Sequence, residues 1–412
     1  MAENSVVQPQ RLARWDGTTV APGDVMAFDG RRGPLARLVL KNMILTVLTL
    51  GIYRFWAKTA VRHWFWRHIS IAEERLEYSG KGSELFVGFL IALCVLLPFF
   101  AVTSILEQVA STSAVGAVVS QTVYFAGLFL LIQTAIFRMR RYRLTRTMWR
   151  GIRCGLDGRT WGYVKAAVGY WLLVIVTLGF AYPWMRTGLS RHLMTRTRFG
   201  AQNFGFEANP RELVVHWIPI AIVWLVILGC AVFSWSSVEY YPGGQQRPVN
   251  GAAAYSGLAI LLLLLAQLPL YVRYRTREFC VFASKTSLGE VRFESNLRAN
   301  QIIWLFVWTA MSLLVFFALV ISLFGALIVQ AAGSSPGGLG AGVVGTLIVT
   351  VIFAAIVLPA VNLVFVQFGL TKAVVNSLAV INLPAVEGII QSTQEIPGHG
   401  EGLADAFDLG DF

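Results

Sequence analysis

Charged residues are scarce in this sequence, and acidic ones are the scarcest. Of its 412 residues only 14% are charged, with 22 Asp and Glu against 34 Lys and Arg, whereas 56% are hydrophobic. A soluble domain needs roughly a quarter of its residues charged to cover its surface. The composition therefore excludes a soluble protein and predicts one that lies in a membrane. The first thirty residues are polar and lack the apolar core of a signal peptide, so we expect none.

Cysteine and histidine are also rare, which argues against metal and disulfide chemistry. The cysteines are Cys94, Cys154, Cys230 and Cys280. They lie far apart without a CxxC pair, so we expect small core residues. His63 and His68 belong to an aromatic and basic stretch, RHWFWRH, which is typical of a membrane interface. No HExxH motif, nucleophile or carboxylate pair stands out, so we expect no enzyme, no bound metal and no cofactor.

Six apolar windows are close to the roughly 20 residues that cross the hydrocarbon core as a helix. They are Leu85–Leu106, Val115–Phe137, Leu213–Phe233, Ala252–Leu270, Ile302–Val329 and Val343–Phe368. Two further windows, Leu35–Tyr53 and Trp161–Tyr182, are shorter or interrupted, with Lys41 and Lys165 inside or at their edges. Whether these two span the bilayer stays open at this point.

Basic residues are concentrated in five segments. These are the N-terminal region to Lys41, Arg54–Lys81, Arg138–Arg159, Arg186–Arg211 and Arg273–Arg298. The connections at Glu107–Ala114, Glu239–Gly251 and Ala331–Gly340 contain a single basic residue, Arg247. By the positive-inside rule, the first set faces the cytoplasm and the second faces outward.

Part of the sequence is repeated at an offset of 128 residues. The stretch TLGIYRFWAKT at Thr49–Thr59 returns as TLGFAYPWMRT at Thr177–Thr187, and DGR at Asp29–Arg31 returns at Asp157–Arg159. A degenerate third copy begins near Arg275. We therefore predict an internal duplication whose unit contains an apolar segment, a basic and aromatic stretch, a short alternating region and a spanning helix.

The alternating region of each unit predicts a small β-hairpin. In RFGAQNFGFEAN at Arg198–Asn209, Gly200 or Gly205 is expected near the turn. Open sheet edges cannot lie in hydrocarbon, so the hairpins are expected in the cytoplasm or the headgroup layer.

Two topologies are open for the two short windows. If both spanned, the basic segments on either side of each would face opposite compartments, against the charge rule. If they are re-entrant or interfacial half-helices, every basic segment is cytoplasmic, and we favour this arrangement. The eight-span alternative would give an inverted repeat, as in many secondary transporters.

The repeated motif is interpreted as a membrane anchor. It combines a glycine that ends a helix, an interfacial tryptophan and a cation that reaches lipid phosphates. The anchor residues are Gly51, Trp56, Lys58, Gly179, Trp184 and Arg186. A second basic run continues directly from a spanning helix, so we expect it to contact anionic lipid rather than nucleic acid. Its candidate contacts are Arg138, Arg140, Arg141, Arg143, Arg146, Arg150 and Arg153.

The sequence resembles the YjgN-like proteins, the bacterial family known as domain of unknown function 898. The matching stretches are TLGIYRFWAKT, ELFVG at Glu84–Gly88, RTMWRGIRCG at Arg146–Gly155 and FGAQNFGF at Phe199–Phe206. The resemblance covers roughly Phe28 to Asn300. It implies a multi-pass protein of the bacterial inner membrane and suggests a membrane-associated metallopeptidase as a partner. It brings no reaction, substrate or catalytic residue.

The sequence as a whole predicts an all-α polytopic fold with six strong transmembrane helices, two short re-entrant or spanning helices and small cytoplasmic β-hairpins. Its segments are 1–27 (polar), 28–137 (first unit), 138–271 (second unit), 272–370 (third unit) and 371–412 (acidic, disordered tail). We expect a non-enzymatic scaffold, or a module that binds a partner or lipid. The alternative is a transporter or channel for an apolar, amphipathic or lipid-like substrate.

Overall fold

The computed structural model describes residues 26–392 except 112, 237, 241–245, 249–250, 333–356 and 387. The chain divides into two units. Unit 1 contains the chain up to Phe86, together with Thr147–Arg150 and Asn300–Leu378; unit 2 contains Val87–Arg146, Gly151–Ala299 and the chain from Ala379 onward. The predicted polar N-terminal segment and the connection at 331–340 fall almost wholly outside the described residues.

The described residues form ten main helices. These are α1 (Arg32–Leu48), α2 (Arg54–Arg67), α3 (Gly82–Ala110), α4 (Ala114–Thr145), α5 (Thr160–Val176), α6 (Tyr182–Met194), α7 (Arg211–Ser236), α8 (Gly251–Ser284), α9 (Ala299–Ala332) and α10 (Val357–Ser377, π-helical at Asn362–Gln367).

Six of these helices are long and apolar enough to cross a bilayer, which confirms the predicted number within the described part of the chain. The membrane-competent stretches are Gly82–Ala110, Ala114–Thr145, Arg211–Ser234, Tyr255–Ser284, Ala299–Leu319 and Val357–Ser377. The last one ends later than the window Val343–Phe368 predicted, and the first part of that window lies outside the described residues. The 30 residues of Tyr255–Ser284 measure about 45 Å, against about 30 Å for the hydrocarbon core. Helix α8 is therefore long enough to cross the core with a tilt or to extend beyond it.

The two short windows each form one leg of a helical hairpin. Helices α1 and α5 have 17 residues each, or about 25 Å, which is shorter than the core. Each is followed by a tight turn and then by a basic, aromatic helix that packs against it, α2 or α6. We call α1–α2 the first helical hairpin and α5–α6 the second.

In unit 1, the first helical hairpin packs on α10. The ring of Phe28 contacts those of Phe65 and Phe368, at centroid distances of 6.1 and 5.4 Å. The Phe28 N–H donates to Asn376 Oδ1 on α10 at 2.9 Å. The core residues are Phe28, Leu35, Val39, Val61, Phe65, Phe368 and Val375. Two segments distant in sequence thus share one core.

Unit 2 has two apolar cores, one on each side of α6. The first joins α4, α5 and α6 through Phe137, Leu156, Tyr163, Ala167, Val174, Ala181, Met185, Leu189 and Leu193. The second joins α7 and α8 to the sheet through Phe206, Ala208, Leu213, Trp217, Ile220, Ala221, Tyr274 and Val281. The side chains of Tyr182 and Met194 on α6 pack against this second core.

An eight-stranded sheet corrects the prediction of an all-α fold with separate small hairpins. Its strands are β4 (Glu77–Tyr78), β5 (Thr147–Trp149), β6 (Ile152–Leu156), β7 (Thr197–Phe199), β8 (Gln202–Phe206), β11 (Thr286–Leu288), β12 (Val291–Ser295) and β13 (Leu378–Ile381). In unit 2 the order is β13-β12-β11-β8-β7-β6. In unit 1, β4 pairs with β5. There are two smaller sheets. One contains β1 (Met26–Phe28), β2 (Ile69–Ile71) and β3 (Glu74–Arg75), and the other contains β9 (Val238–Tyr240) and β10 (Gln246–Pro248).

The predicted hairpins exist locally but also pair with one another. Gly200 occupies the β7–β8 turn with φ +56°, whereas Gly205 lies within β8 opposite Ser287 of β11. A Cβ on Gly205 would lie 2.6 Å from Ser287 Oγ. The glycine therefore lets the two hairpins approach closely enough to share a ladder.

The ordered chain continues past the predicted start of the tail at residue 371. Helix α10 ends at Ser377, β13 follows, and residues 388–392 lie along the hairpins. The Ala201 N–H donates to the Ile390 carbonyl at 3.0 Å, and the Arg153 N–H donates to Gln391 Oε1 at 2.9 Å. The acidic residues from 393 onward lie outside the described part.

Candidate functional site

The turn of the first helical hairpin is a Schellman motif with an unusual occupant. The Gly51 N–H donates to the Thr46 carbonyl at 2.7 Å, and the Leu50 N–H donates to the Val47 carbonyl at 3.1 Å. These are the 6→1 and 5→2 bonds of the motif. The left-handed position that usually takes glycine is therefore filled by Leu50, one residue before the glycine that was expected to end the helix.

The second helical hairpin has the same turn. The Gly179 N–H donates to the Val174 carbonyl at 2.8 Å, and the Leu178 N–H donates to the Ile175 carbonyl at 3.1 Å. Glycines Gly51 and Gly179 have φ of +93° and +90°. The internal duplication itself stays a prediction, but the two stretches that suggested it share one backbone geometry.

A threonine closes each turn from the helix side. The Thr49 hydroxyl donates to the Leu45 carbonyl at 2.8 Å and accepts from the Tyr53 N–H at 2.9 Å. The hydroxyl of Thr177 accepts from the Ala181 N–H at 3.0 Å in the same way. Each T-L-G sequence thus satisfies most of the polar groups at a helix end by itself.

Both leucines are strained and exposed. Leu50 and Leu178 each have φ +49°, a conformation that costs an L-residue with a side chain about 1–2 kcal/mol. Leu50 is 95% exposed and Leu178 is 64% exposed. Glycine or asparagine would satisfy the turn with less strain, so a bulky apolar residue at both tips indicates a function for the side chain.

The predicted anchor tryptophans lie at the start of the second leg of each hairpin. Trp56 and Trp184 are both partly exposed. The Trp56 ring contacts those of Tyr53 and Phe86 at 6.4 and 5.9 Å. Lys58 is half-buried two residues further along α2. These positions fit an interfacial role, and lipid contact at Trp56, Lys58 and Trp184 stays a prediction.

The second helical hairpin is attached to α7 by a tryptophan at its turn. Trp217 Nε1 donates to the Gly179 carbonyl at 2.9 Å. The Trp217 ring stacks on Tyr182 at 4.2 Å and meets Tyr274 edge-on at 5.0 Å. The turn is thereby fixed to the second core of unit 2.

A buried ionic cluster, formed by Arg186, Arg275 and Glu278, lies beside this aromatic contact. Glu278 is 1% exposed. Its Oε1 accepts from Arg186 Nε and its Oε2 accepts from an Arg275 guanidinium N–H, both at 2.7 Å. Burial by itself lowers the pKa of Arg186, but Glu278 more than offsets this and the pKa is raised. Arg186, predicted to reach lipid phosphate, is therefore already paired with a carboxylate.

Two hydroxyl groups near the ionic cluster lack a hydrogen-bond partner within the described residues. They belong to Tyr274 and Thr187, both almost fully buried. Burial raises the pKa of the neighbouring Tyr182 well above the ordinary value. The phenol of Tyr182 therefore stays neutral.

The arginines predicted to bind lipid are partly engaged within the protein. Arg141 donates to the carbonyls of Leu156, at 3.2 Å, and Gly158. Arg140 contacts Met194 Sδ at 3.5 Å, Arg150 contacts Glu74 at 2.8 Å, and the Arg146 guanidinium lies 5.6 Å from the centroid of the Tyr142 ring. Arg138, Arg143 and Arg153 are half-buried. Lipid contact by these seven side chains stays a prediction.

The two histidines of the aromatic stretch contact backbone carbonyls, and the cysteines differ in burial. His63 Nε2 lies 3.1 Å from the Gly80 carbonyl and His68 Nδ1 lies 2.7 Å from that of Trp64. Burial raises the pKa of the Cys154 thiol to about 11. Cys94 is exposed on α3 rather than in a core, because an apolar side chain on a membrane helix can face lipid.

Sequence reasoning missed Glu278 and the aromatic residues around it. The available signal was YVRYRTREFC, in which Glu278 is the only acid among three arginines and lies one turn after Tyr274. An acidic residue in a strongly basic helix end has cationic neighbours on its own helix, and its burial required the packing of α6 on α8.

Comparison with known proteins places these features in a family. The family described as "Bacterial protein of unknown function (DUF898)" matches residues 24–406. Inner membrane protein YjgN of Escherichia coli O157:H7 is 23% identical over 262 residues, which are 60% of this chain and 58% of that protein. Its counterpart in Escherichia coli strain K12 is 25% identical over 162 residues, 38% and 37% of the two chains.

The alignments cover only part of these relatives, since this chain spans about 58% of the length of the first. The Salmonella typhimurium protein of the same name is 29% identical over 70 residues, 17% of this chain and 18% of that protein. No solved structure is significantly similar to this chain. Six membrane-competent helices and relatives named as inner membrane proteins agree on a multi-pass inner-membrane protein. With a family match over nearly its whole length, the chain belongs to the DUF898 family of bacterial proteins of unknown function.

Proposed function

We propose that this protein is a non-enzymatic membrane module that holds a cytoplasmic platform of sheet and basic helices against an anionic bilayer. The platform would then bind a lipid or a protein partner. The observation that carries the proposal is the strained, exposed leucine at the tip of each helical hairpin. Strain of this kind persists where the side chain is needed for function.

Hydrocarbon around the tips explains why both positions are leucine. Transfer of a leucine side chain from water into an apolar phase contributes about 1.5–3 kcal/mol. This exceeds the strain of about 1–2 kcal/mol that the left-handed backbone imposes. Inserted tips therefore recover the conformational cost, whereas tips in water would not.

The second legs of the hairpins have the composition of interfacial helices. Helix α2 carries Arg54, Lys58, Arg62 and Arg67 among its aromatic residues. Basic residues next to an anionic leaflet contribute about 1 kcal/mol each. An apolar leg of about 25 Å joined to such a leg fits a hairpin whose two ends lie on the same side of the bilayer.

The basic composition supports a cytoplasmic position for the platform. All five basic segments then lie on one side, as the positive-inside rule requires. The relatives are named only as inner membrane proteins, so the partner is not indicated by them. A membrane-associated metallopeptidase stays a candidate partner.

Site-directed labelling of the tips tests the proposal. Single cysteines at Leu50→Cys and Leu178→Cys, in a cysteine-free background, would be treated in spheroplasts with a membrane-impermeant maleimide. Ser113→Cys, exposed in the α3–α4 connection, serves as the outward-facing control. We expect labelling of the control only. A spin label at either tip should be accessible to oxygen and protected from a water-soluble nickel chelate.

The same experiment also tests the alternative function, a transporter or channel. Labelling of Leu178→Cys from outside would mean that α5 spans the membrane, which would overturn the hairpin topology. A spanning α5 would support the inverted repeat that is typical of transporters.

A further inference from the structure

One face of α1 carries a shallow apolar surface next to two cations. Arg37, Leu40, Lys41, Ile44 and Leu45 line this open surface. Their spacing of three or four residues places them on a single stripe of the helix. The buried residues of α1, Leu35, Val39 and Asn42, are others, so the stripe faces away from the unit 1 core.

The two cations of the stripe are unpaired. Arg37 and Lys41 are exposed one helical turn apart, and neither has an ion-pair or hydrogen-bond partner among the residues that the structure describes. Helix α1 contains no acidic residue. Like charges at this spacing repel and destabilise a helix, so an anion between them would stabilise α1.

The apolar part of the stripe requires an apolar occupant. Leu40 and Ile44 are both exposed, and the stripe from Arg37 to Leu45 is about 12 Å long. Two cations at one end and aliphatic side chains along the rest match the phosphate and the upper acyl chain of a phospholipid. Inorganic phosphate would match only the first half.

We propose that this stripe binds one anionic phospholipid, with its phosphate between Arg37 and Lys41 and an acyl chain along Leu40, Ile44 and Leu45. The site rests on the interfacial hairpin proposed above and identifies its lipid class. Helix α5 provides an internal comparison, because the position aligned with Arg37 is Lys165 and that aligned with Lys41 is Gly169. The Lys165 ammonium lies 5.8 Å from the Trp161 ring centroid. The second hairpin thus has one cation, with an aromatic partner, where the first has two without one.

Native mass spectrometry of the full chain tests the site. The protein would be released from lipid nanodiscs of phosphatidylcholine containing increasing fractions of phosphatidylglycerol, and the retained lipids counted. The test variant is Arg37→Gln with Lys41→Gln, and the matched control is Lys165→Gln. We expect wild type and control to retain one phosphatidylglycerol that the double variant loses. Its apparent affinity should fall about 30-fold, because two surface cations are removed.

Other outcomes overturn the proposal in distinguishable ways. Equal retention by wild type and the double variant would remove the site. Displacement of the lipid by soluble glycerol phosphate would show that the aliphatic stripe contributes nothing to binding. A dimer detected for wild type but not for the double variant would show that a second copy of the chain covers the stripe. If tip labelling still places Leu50 in the bilayer, only the lipid site fails. If the Leu50 label is reached from outside, the proposed function fails as well.

Discussion

Replacement of Glu278 by glutamine should destabilise unit 2 strongly. The substitution keeps the size of the side chain but leaves Arg186 and Arg275 without their carboxylate. Removing one partner of a buried ion pair costs about 3–5 kcal/mol. The Glu278 side chain is only 2% exposed, whereas those of Arg186 and Arg275 are about one-third exposed. Water can partly solvate the two guanidinium groups, so we expect the lower end, about 3 kcal/mol.

The measurement is the free energy of unfolding in detergent micelles, with tryptophan fluorescence as the signal of unfolding. Trp217 reports locally because its ring contacts both Tyr182 and Tyr274. The matched control is Glu212→Gln, since Glu212 pairs with Lys285 at 3.8 Å and both side chains are more than 40% exposed. An exposed pair of this kind contributes about 0–1 kcal/mol.

A double variant sharpens the result. Adding Arg186→Gln to Glu278→Gln removes one unpaired cation. The double variant should therefore lose less unfolding free energy than the two single variants lose in sum. If Glu278→Gln were no more destabilising than Glu212→Gln, the buried ionic cluster would contribute nothing to stability and the reasoning would be refuted.

Three further predictions concern single residues. Leu50→Gly should lower the melting temperature in lipid nanodiscs slightly, because the strain that it relieves, about 1–2 kcal/mol, is smaller than the leucine transfer that it loses, about 1.5–3 kcal/mol. A spin label at Ile52→Cys should become more accessible to water, and a higher melting temperature would contradict insertion of the tip. In a variant that keeps Cys154 as its one cysteine, alkylation at pH 8 should be slow, because a pKa of about 11 leaves about one thiol in a thousand ionised. The rate of alkylation should rise with pH until near pH 11. Fast alkylation at pH 8, measured by mass spectrometry, would count against a buried thiol. Trp56→Ala should expose α1 to protease more than Trp304→Ala does, and equal protection would disprove its anchoring role.

The helical part of the fold could be predicted because hydropathy is a local signal. Six apolar windows predicted six membrane-competent helices, and the two shorter or interrupted windows correspond to the 17-residue helices α1 and α5. The sheet could not be predicted in the same way. The pairing of Phe206 with Thr286 joins residues 80 positions apart, and no local pattern states which hairpin lies beside which.

The site shows the same division between local and tertiary information. The repeated T-L-G sequence predicted a helix end at Gly51, but the hydrogen bonds of the turn place Leu50 in the position that usually takes glycine, and Gly51 follows it with φ +93°. No prediction from the sequence included Glu278, which lies in the basic end of α8. Only the approach of α6, which brings Arg186 to Glu278, makes it a buried ionic centre.

The closed hydrogen bonds of the Leu50 turn also affect how the first helical hairpin can respond to the bilayer. Because the last carbonyls of α1 are bonded within the turn, little at the tip requires water. If the tip inserts as proposed, it would change depth without exposing these backbone groups, whereas spanning helices resist mismatch by tilting or by deforming lipid. A leg of about 25 Å would be accommodated differently in thin and thick membranes. The hairpin could in this way convert local bilayer thickness into a displacement of the strands joined to α2.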